Sequence, residues 1–100
     1  MVRSKNGSAF INSAYTLGAA TTFSAAFELS ISNNGGGGAD GIAFIVHNDT
    51  NGANQQGSLG GGIGYQGISP SIAVEFDTWN NGGVDNGSDN HVGINQNGSL

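Results

Sequence analysis

Between Thr22 and Ser32 the chain alternates, with Phe23, Ala25, Phe27, Leu29 and Ile31 separated by Ser24, Ala26, Glu28 and Ser30. A period of two predicts a half-buried strand, because successive side chains leave opposite faces of a pleated backbone. Ser8 to Ile11 and Ala14 to Leu17 are shorter candidates upstream. Gly41 to His47 is nearly continuous in apolar residues and predicts a strand covered on both faces. Ile63 to Tyr65, Ile72 to Asp77 and His91 to Asn95 complete the predicted strands. Asn33 to Gly38 and the polar, glycine-rich stretch from Asn48 to Gly61 must turn or loop. Nowhere do apolar residues recur at helical spacing for more than two turns. Short strands spaced roughly 8 to 12 residues apart predict an all-β sandwich.

Composition sharpens this picture. One hundred residues, 36% hydrophobic, suit a single domain over 1–100 with a small core. Nineteen glycines and one proline, Pro70, fit many tight turns. Seven acids against two bases leave a net charge of -5, and both bases, Arg3 and Lys5, lie at the N-terminus. That distribution excludes a basic nucleic-acid footprint. The chain has no cysteine, which excludes disulfides and thiolate zinc sites. No run approaches the length of a membrane span and no apolar signal region opens the chain, so a soluble, already trimmed protein is expected.

Four of the seven acids, Glu75, Asp77, Asp85 and Asp89, fall within fifteen residues. Such a cluster repels itself unless it faces solvent or a cation. The thirteen residues from Thr78 to Asn90 hold only Trp79 and Val84 as large apolar groups, too few to order a loop by burial. Their side chains are oxygen donors suited to a hard cation. On a strand, Glu75, Asp77 and Trp79 share one face, with the two carboxylates about 7 Å apart, while Val74 and Phe76 point into the core from the other. Asp85 and His91, returned by the loop, complete an oxygen and imidazole set for manganese or a similar divalent metal. Asp77, Asn81 and Asp85 with a backbone carbonyl suit calcium.

Four blocks carry a resemblance: Ala39-Asp40-Gly41-Ile42-Ala43-Phe44, Gly60-Gly61-Gly62-Ile63-Gly64, Val74-Glu75-Phe76-Asp77-Thr78-Trp79-Asn80-Asn81, and His91-Val92-Gly93-Ile94-Asn95. In kind and order they resemble the legume-type lectin family, in a bacterial-like form. The resemblance implies a concanavalin-like jelly-roll β-sandwich, here a partial domain lacking C-terminal strands. It implies a manganese-type ion on Glu75, Asp77, Asp85 and His91, and calcium on Asp77, the Trp79 carbonyl, Asn81 and Asp85. Asp89 competes with Asp85 for that role. Sugar contacts map to the Asp40 carboxylate, a backbone amide at Gly61 or Gly62, the Asn81 amide and the Trp79 ring. The peptide before the sugar-binding Asp is cis in this family. Glycans as partners, a secreted or cell-surface location and homodimers formed by sheet-edge pairing are further implications.

Simpler roles are available for several of these residues. Asp40 alone reads as a turn acid after a glycine run, and Trp79 alone as a half-buried loop aromatic. His47 ends an apolar strand without a partner motif and is expected to be structural. Asp49 reads as a turn acid. Asn6, Asn48, Asn86 and Asn97 open glycosylation sequons that this composition produces by chance. Asp85 to Asp89 resembles the start of an EF-hand loop but lacks the closing Glu and flanking helices. A retaining glycoside hydrolase on a similar sandwich needs a second acid at position 79 or 80, which hold Trp79 and Asn80, so no catalytic residues are expected. A calcium-stabilised adhesion module that binds no sugar is the remaining alternative.

Overall fold

The computed structural model describes residues 5–32 and 37–100; Arg3 and most of the expected loop from Asn33 to Gly38 lie outside them. Among the described residues three strands form one antiparallel sheet in the order β1-β2-β3: β1 (Gly41–His47), β2 (Ser71–Asp77) and β3 (His91–Gln96). Each matches a predicted strand to within a residue. Short 3-10 turns at Gly52–Asn54, Gly60–Gly62 and Gly82–Asp85 punctuate the connections. No helix among the described residues is long and apolar enough to cross a membrane.

The register sorts the side chains into two faces. Asp77 pairs with Gly41 and His91, Glu75 with Ala43 and Gly93, and Ala73 with Ile45 and Asn95. These rows share one face. Ile42, Phe44, Val46, Ile72, Val74, Phe76, Val92 and Ile94 occupy the other. The first face is the covered one. The connection from β1 to β2 folds over it and buries Tyr65 and Ile68 against Ala73, with Ala43, Ile45, Ile63 and Leu100 around them.

This reverses an expectation. The Val74 and Phe76 face was expected to supply the core, yet Ile72 is 56% exposed and Ile94 76%. Nor is β1 covered on both faces, since Ile42 remains 48% exposed. On that side the Phe27 ring stacks on Phe44 at 5.6 Å and meets Phe76 edge-on at 6.0 Å.

Residues 22–32, expected to be a strand, run as irregular chain, as do Ser8 to Ile11 and Ala14 to Leu17. Their apolar side chains alternate, but the backbone finds no ladder partner among the described residues, and pairing rather than alternation makes a strand. Ile63 to Tyr65 is a turn rather than a strand. Ile63 has a left-handed backbone (φ 44°), and the Tyr65 N–H donates to the Gly62 carbonyl at 3.0 Å.

Candidate functional site

One end of the sheet gathers most of the residues singled out in the sequence. Asp77 ends β2 and His91 opens β3, so pairing sets them side by side. The 3-10 turn at Gly82–Asp85 brings Asp85 back to them. Asp77, Asp85 and His91 each offer a ligand atom, and these atoms lie within 4.8 Å of one another. His91 Nε2 stands 3.7 Å from Glu75 Oε1 and 4.0 Å from Asp85 Oδ1. Those gaps are too long for hydrogen bonds and match the spacing of atoms around a shared cation. Glu75 and Asp89, the competing ligand, both lie outside this group of three: Glu75 is buried and reaches it through His91, whereas Asp89 is exposed.

The carboxylates are buried, with Asp77 only 3% exposed. Burial pushes the Asp77 carboxyl above its ordinary range; the hydrogen bond from the Trp79 N–H opposes the shift and the charge on Asp85 adds to it. His91 Nδ1 is buried without a hydrogen-bond partner among the described residues. A buried, costly set of negative oxygens beside an imidazole suits a divalent cation, so the donor set fits the manganese-type ion.

The loop from Thr78 to Asn90 is ordered from within as well. The Trp79 N–H donates to Asp77 Oδ1 at 2.7 Å, and the Asn81 N–H donates to Asp85 Oδ2. Gly82 N–H donates to Asn80 Oδ1 at 2.7 Å, and Asn80 Nδ2 to the Gly87 carbonyl at 2.8 Å. Short polar side chains thus replace the apolar burial that the loop lacks. The same carboxylates that face His91 therefore also hold the backbone of Trp79 and Asn81.

The expected sugar contacts converge beside this cluster. The Ala39–Asp40 peptide is cis, as the resemblance implies. The Asp40 carbonyl accepts from the Thr78 N–H at 2.8 Å and from its hydroxyl at 3.1 Å, and the hydroxyl also donates to the Gly38 carbonyl. Asp40 Oδ2 lies 4.0 Å from where a Cβ on Gly60 would stand. A Cβ on Gly61 would stand 2.6 Å from the Asn81 side-chain nitrogen. The Trp79 ring, 40% exposed, lies against Gly37. Gly62 differs from its neighbour: it is buried, and its N–H turns back to the Leu59 carbonyl at 3.3 Å. Of the two glycines, Gly61 is therefore the one beside Asn81.

His47 and Asp49 lie away from this end. His47 Nδ1 accepts from the Asp49 N–H at 3.2 Å and its ring meets Phe10 edge-on, while Asp49 Oδ1 caps the Asn51 N–H.

Four residues gain a place here that the sequence did not assign. Thr78 ties the Asp40 backbone to β2. Tyr65 donates its hydroxyl to Glu75 Oε2 at 2.5 Å, and Asn95 Nδ2 donates to the Tyr65 oxygen at 2.7 Å. Gly93 lies under the Glu75 carboxylate, where a Cβ would collide with Oε1. A glycine inside a strand was the available signal for that close approach.

The antiparallel sheet thus carries, at one end, a candidate cation site beside an acid, an amide and an aromatic ring. The legume lectin domain family model matches residues 3–99, and the chain belongs to that family. Its fold is the concanavalin-like β-sandwich, and its members are carbohydrate-binding, typically non-catalytic domains that generally bind calcium and manganese. No solved structure matches the chain.

Proposed function

We propose that this domain recognises glycans without catalysis and depends on calcium and a manganese-type ion to do so. Glu75, Asp77, Asp85 and His91 would hold the manganese-type ion, and Asp77, the Trp79 carbonyl, Asn81 and Asp85 the calcium. Bound there, the cations supply charge that stabilises the buried carboxylates and fixes the loop. Asp40 would accept hydrogen bonds from sugar hydroxyls. The Asn81 amide and the Gly61 N–H would donate to them, and the apolar face of the sugar would lie on Trp79. Secretion to a calcium-rich compartment and pairing of two copies through sheet edges belong to the same proposal.

One observation carries this reading. Asp85 reaches toward His91 with one oxygen and accepts the Asn81 N–H with the other, so the metal group and the sugar group share a side chain. Cation loss would free Asp85 and, through it, Asn81.

A glycan-array screen with calcium and manganese, repeated after chelation, tests the proposal. Binding that chelation removes is the expected result. Folded, metal-loaded protein that binds no glycan would favour the adhesion-module alternative, and binding indifferent to chelation would reject the metal dependence.

A further inference from the structure

Tyr65 is the largest side chain in the core, 1% exposed, and its hydroxyl is spent on Glu75. A phenol has one proton to give. Asn95 Nδ2 is a donor only, so at that contact the Tyr65 oxygen must accept, and its proton is directed to Glu75 Oε2. Glu75 is left with one uncommitted oxygen, Oε1, which is the one 3.7 Å from His91 Nε2. Gly93 lets Glu75 lie flat across β3 at this point, since any Cβ there would meet Oε1.

We propose that Tyr65 and Asn95 form a buried relay that holds Glu75 as a single-oxygen ligand and so sets which cation the site prefers. This rests on the metal-dependent reading above. Calcium takes six to eight oxygens and readily accepts both oxygens of one carboxylate, whereas smaller divalent ions take fewer ligands in tighter geometry. A Glu75 restricted to Oε1 withholds the second oxygen that calcium would use. Tyr65 and Asn95 touch no cation themselves; they are positioning residues that act through Glu75.

Manganese binding followed by electron paramagnetic resonance and calcium binding by calorimetry, on wild type, Tyr65→Phe and Asn95→Asp, test the relay. Tyr65→Phe keeps the ring and removes the proton. Manganese affinity is expected to fall ten- to a hundredfold, with calcium affinity at the same site unchanged or raised. Asn95→Asp is nearly isosteric but accepts rather than donates, drawing the Tyr65 proton from Glu75, and is expected to shift the preference in the same direction. In the double variant the second change should add little, because both act through one hydroxyl. An equal loss of both ions, or an unchanged manganese-to-calcium ratio in both variants, overturns the relay. If Tyr65→Phe does not fold, Asn95→Asp gives the same reading alone. A folded wild type that binds neither ion would reject the parent proposal, and the relay with it.

Discussion

The side-chain amide of Asn81 occupies the space that a Cβ on Gly61 would need. Gly61 has no left-handed backbone requirement, so alanine is permitted there conformationally. The conflict is purely with the end of a flexible side chain. Gly61→Ala is therefore expected to leave folding stability unchanged or raised by up to about 1 kcal/mol, while moving Asn81 and weakening glycan binding at least tenfold, about 1.4 kcal/mol. Thermal melting and a glycan titration on the same sample check it. Unaltered glycan affinity would remove Gly61 and Asn81 from the sugar site.

Gly93→Ala drives a methyl group into the Glu75 carboxylate from the neighbouring strand. Overpacking of this kind costs about 1–3 kcal/mol, and a displaced Glu75 should lower manganese affinity roughly ten- to a hundredfold. Val92→Ala, on the opposite face, serves as the control: its affinity should match wild type. Equal losses in the two variants would point to general weakening of β3.

The raised pKa of Asp77 gives the protein a pH dependence whose sign differs with and without metal. In the metal-free chain the folded pKa exceeds the ordinary 3.8, so this group's contribution is present at acid pH and is lost as pH rises through the elevated value. Cation binding needs the ionised form. The gap in melting temperature between metal-loaded and chelated protein should therefore widen as pH rises from 3.8 upward through that value. Asp77→Asn should abolish metal binding, flatten this component and leave the chelated protein no less stable than wild type. A lower melting temperature for chelated Asp77→Asn would mean that the carboxylate is needed for more than the cation.

Asp40→Ala separates recognition from architecture. The bonds that hold this segment run from Thr78 to the backbone carbonyls of Gly38 and Asp40, not to the Asp40 carboxylate. Stability should change by no more than about 0.5 kcal/mol, manganese affinity should be retained, and glycan binding should disappear. Retained glycan binding would refute the role given to Asp40.

Where the sequence was legible, the reason is that two independent signals coincided. β1, β2 and β3 each combine an apolar or alternating run with a block of recognisable spacing, and each appears within a residue of its predicted bounds. Residues 22–32 carry alternation alone, and alternation specifies a face without specifying a partner. The buried face of β2 is hard to read because Glu75 and Asp77 are ionisable and Ala73 is small beside Val74 and Phe76. Tyr65 and Ile68 are what cover it, from a glycine-rich connection that the sequence predicts as a short strand at Ile63 to Tyr65 and that folds as a turn. Glu75, Asp77, Asp85 and His91 could be grouped from donor chemistry. The hydrogen bonds from Tyr65 to Glu75 and from Asn95 to Tyr65 could not, since they join positions 10 and 30 residues apart that show no shared spacing.

The row Gly41, Asp77, His91 is the terminal rung of the ladder. Terminal rungs open locally far more often than the molecule unfolds. Exchange of the proposed cation at this end would thus need only that rung and the loop beyond it to part, while the central row of Phe44, Val74 and Ile94 stays closed. Release of the proposed cation and hydrogen exchange at the amides of this end would then be two reports of one motion, with the ion's lifetime bounded by how often the last rung frays.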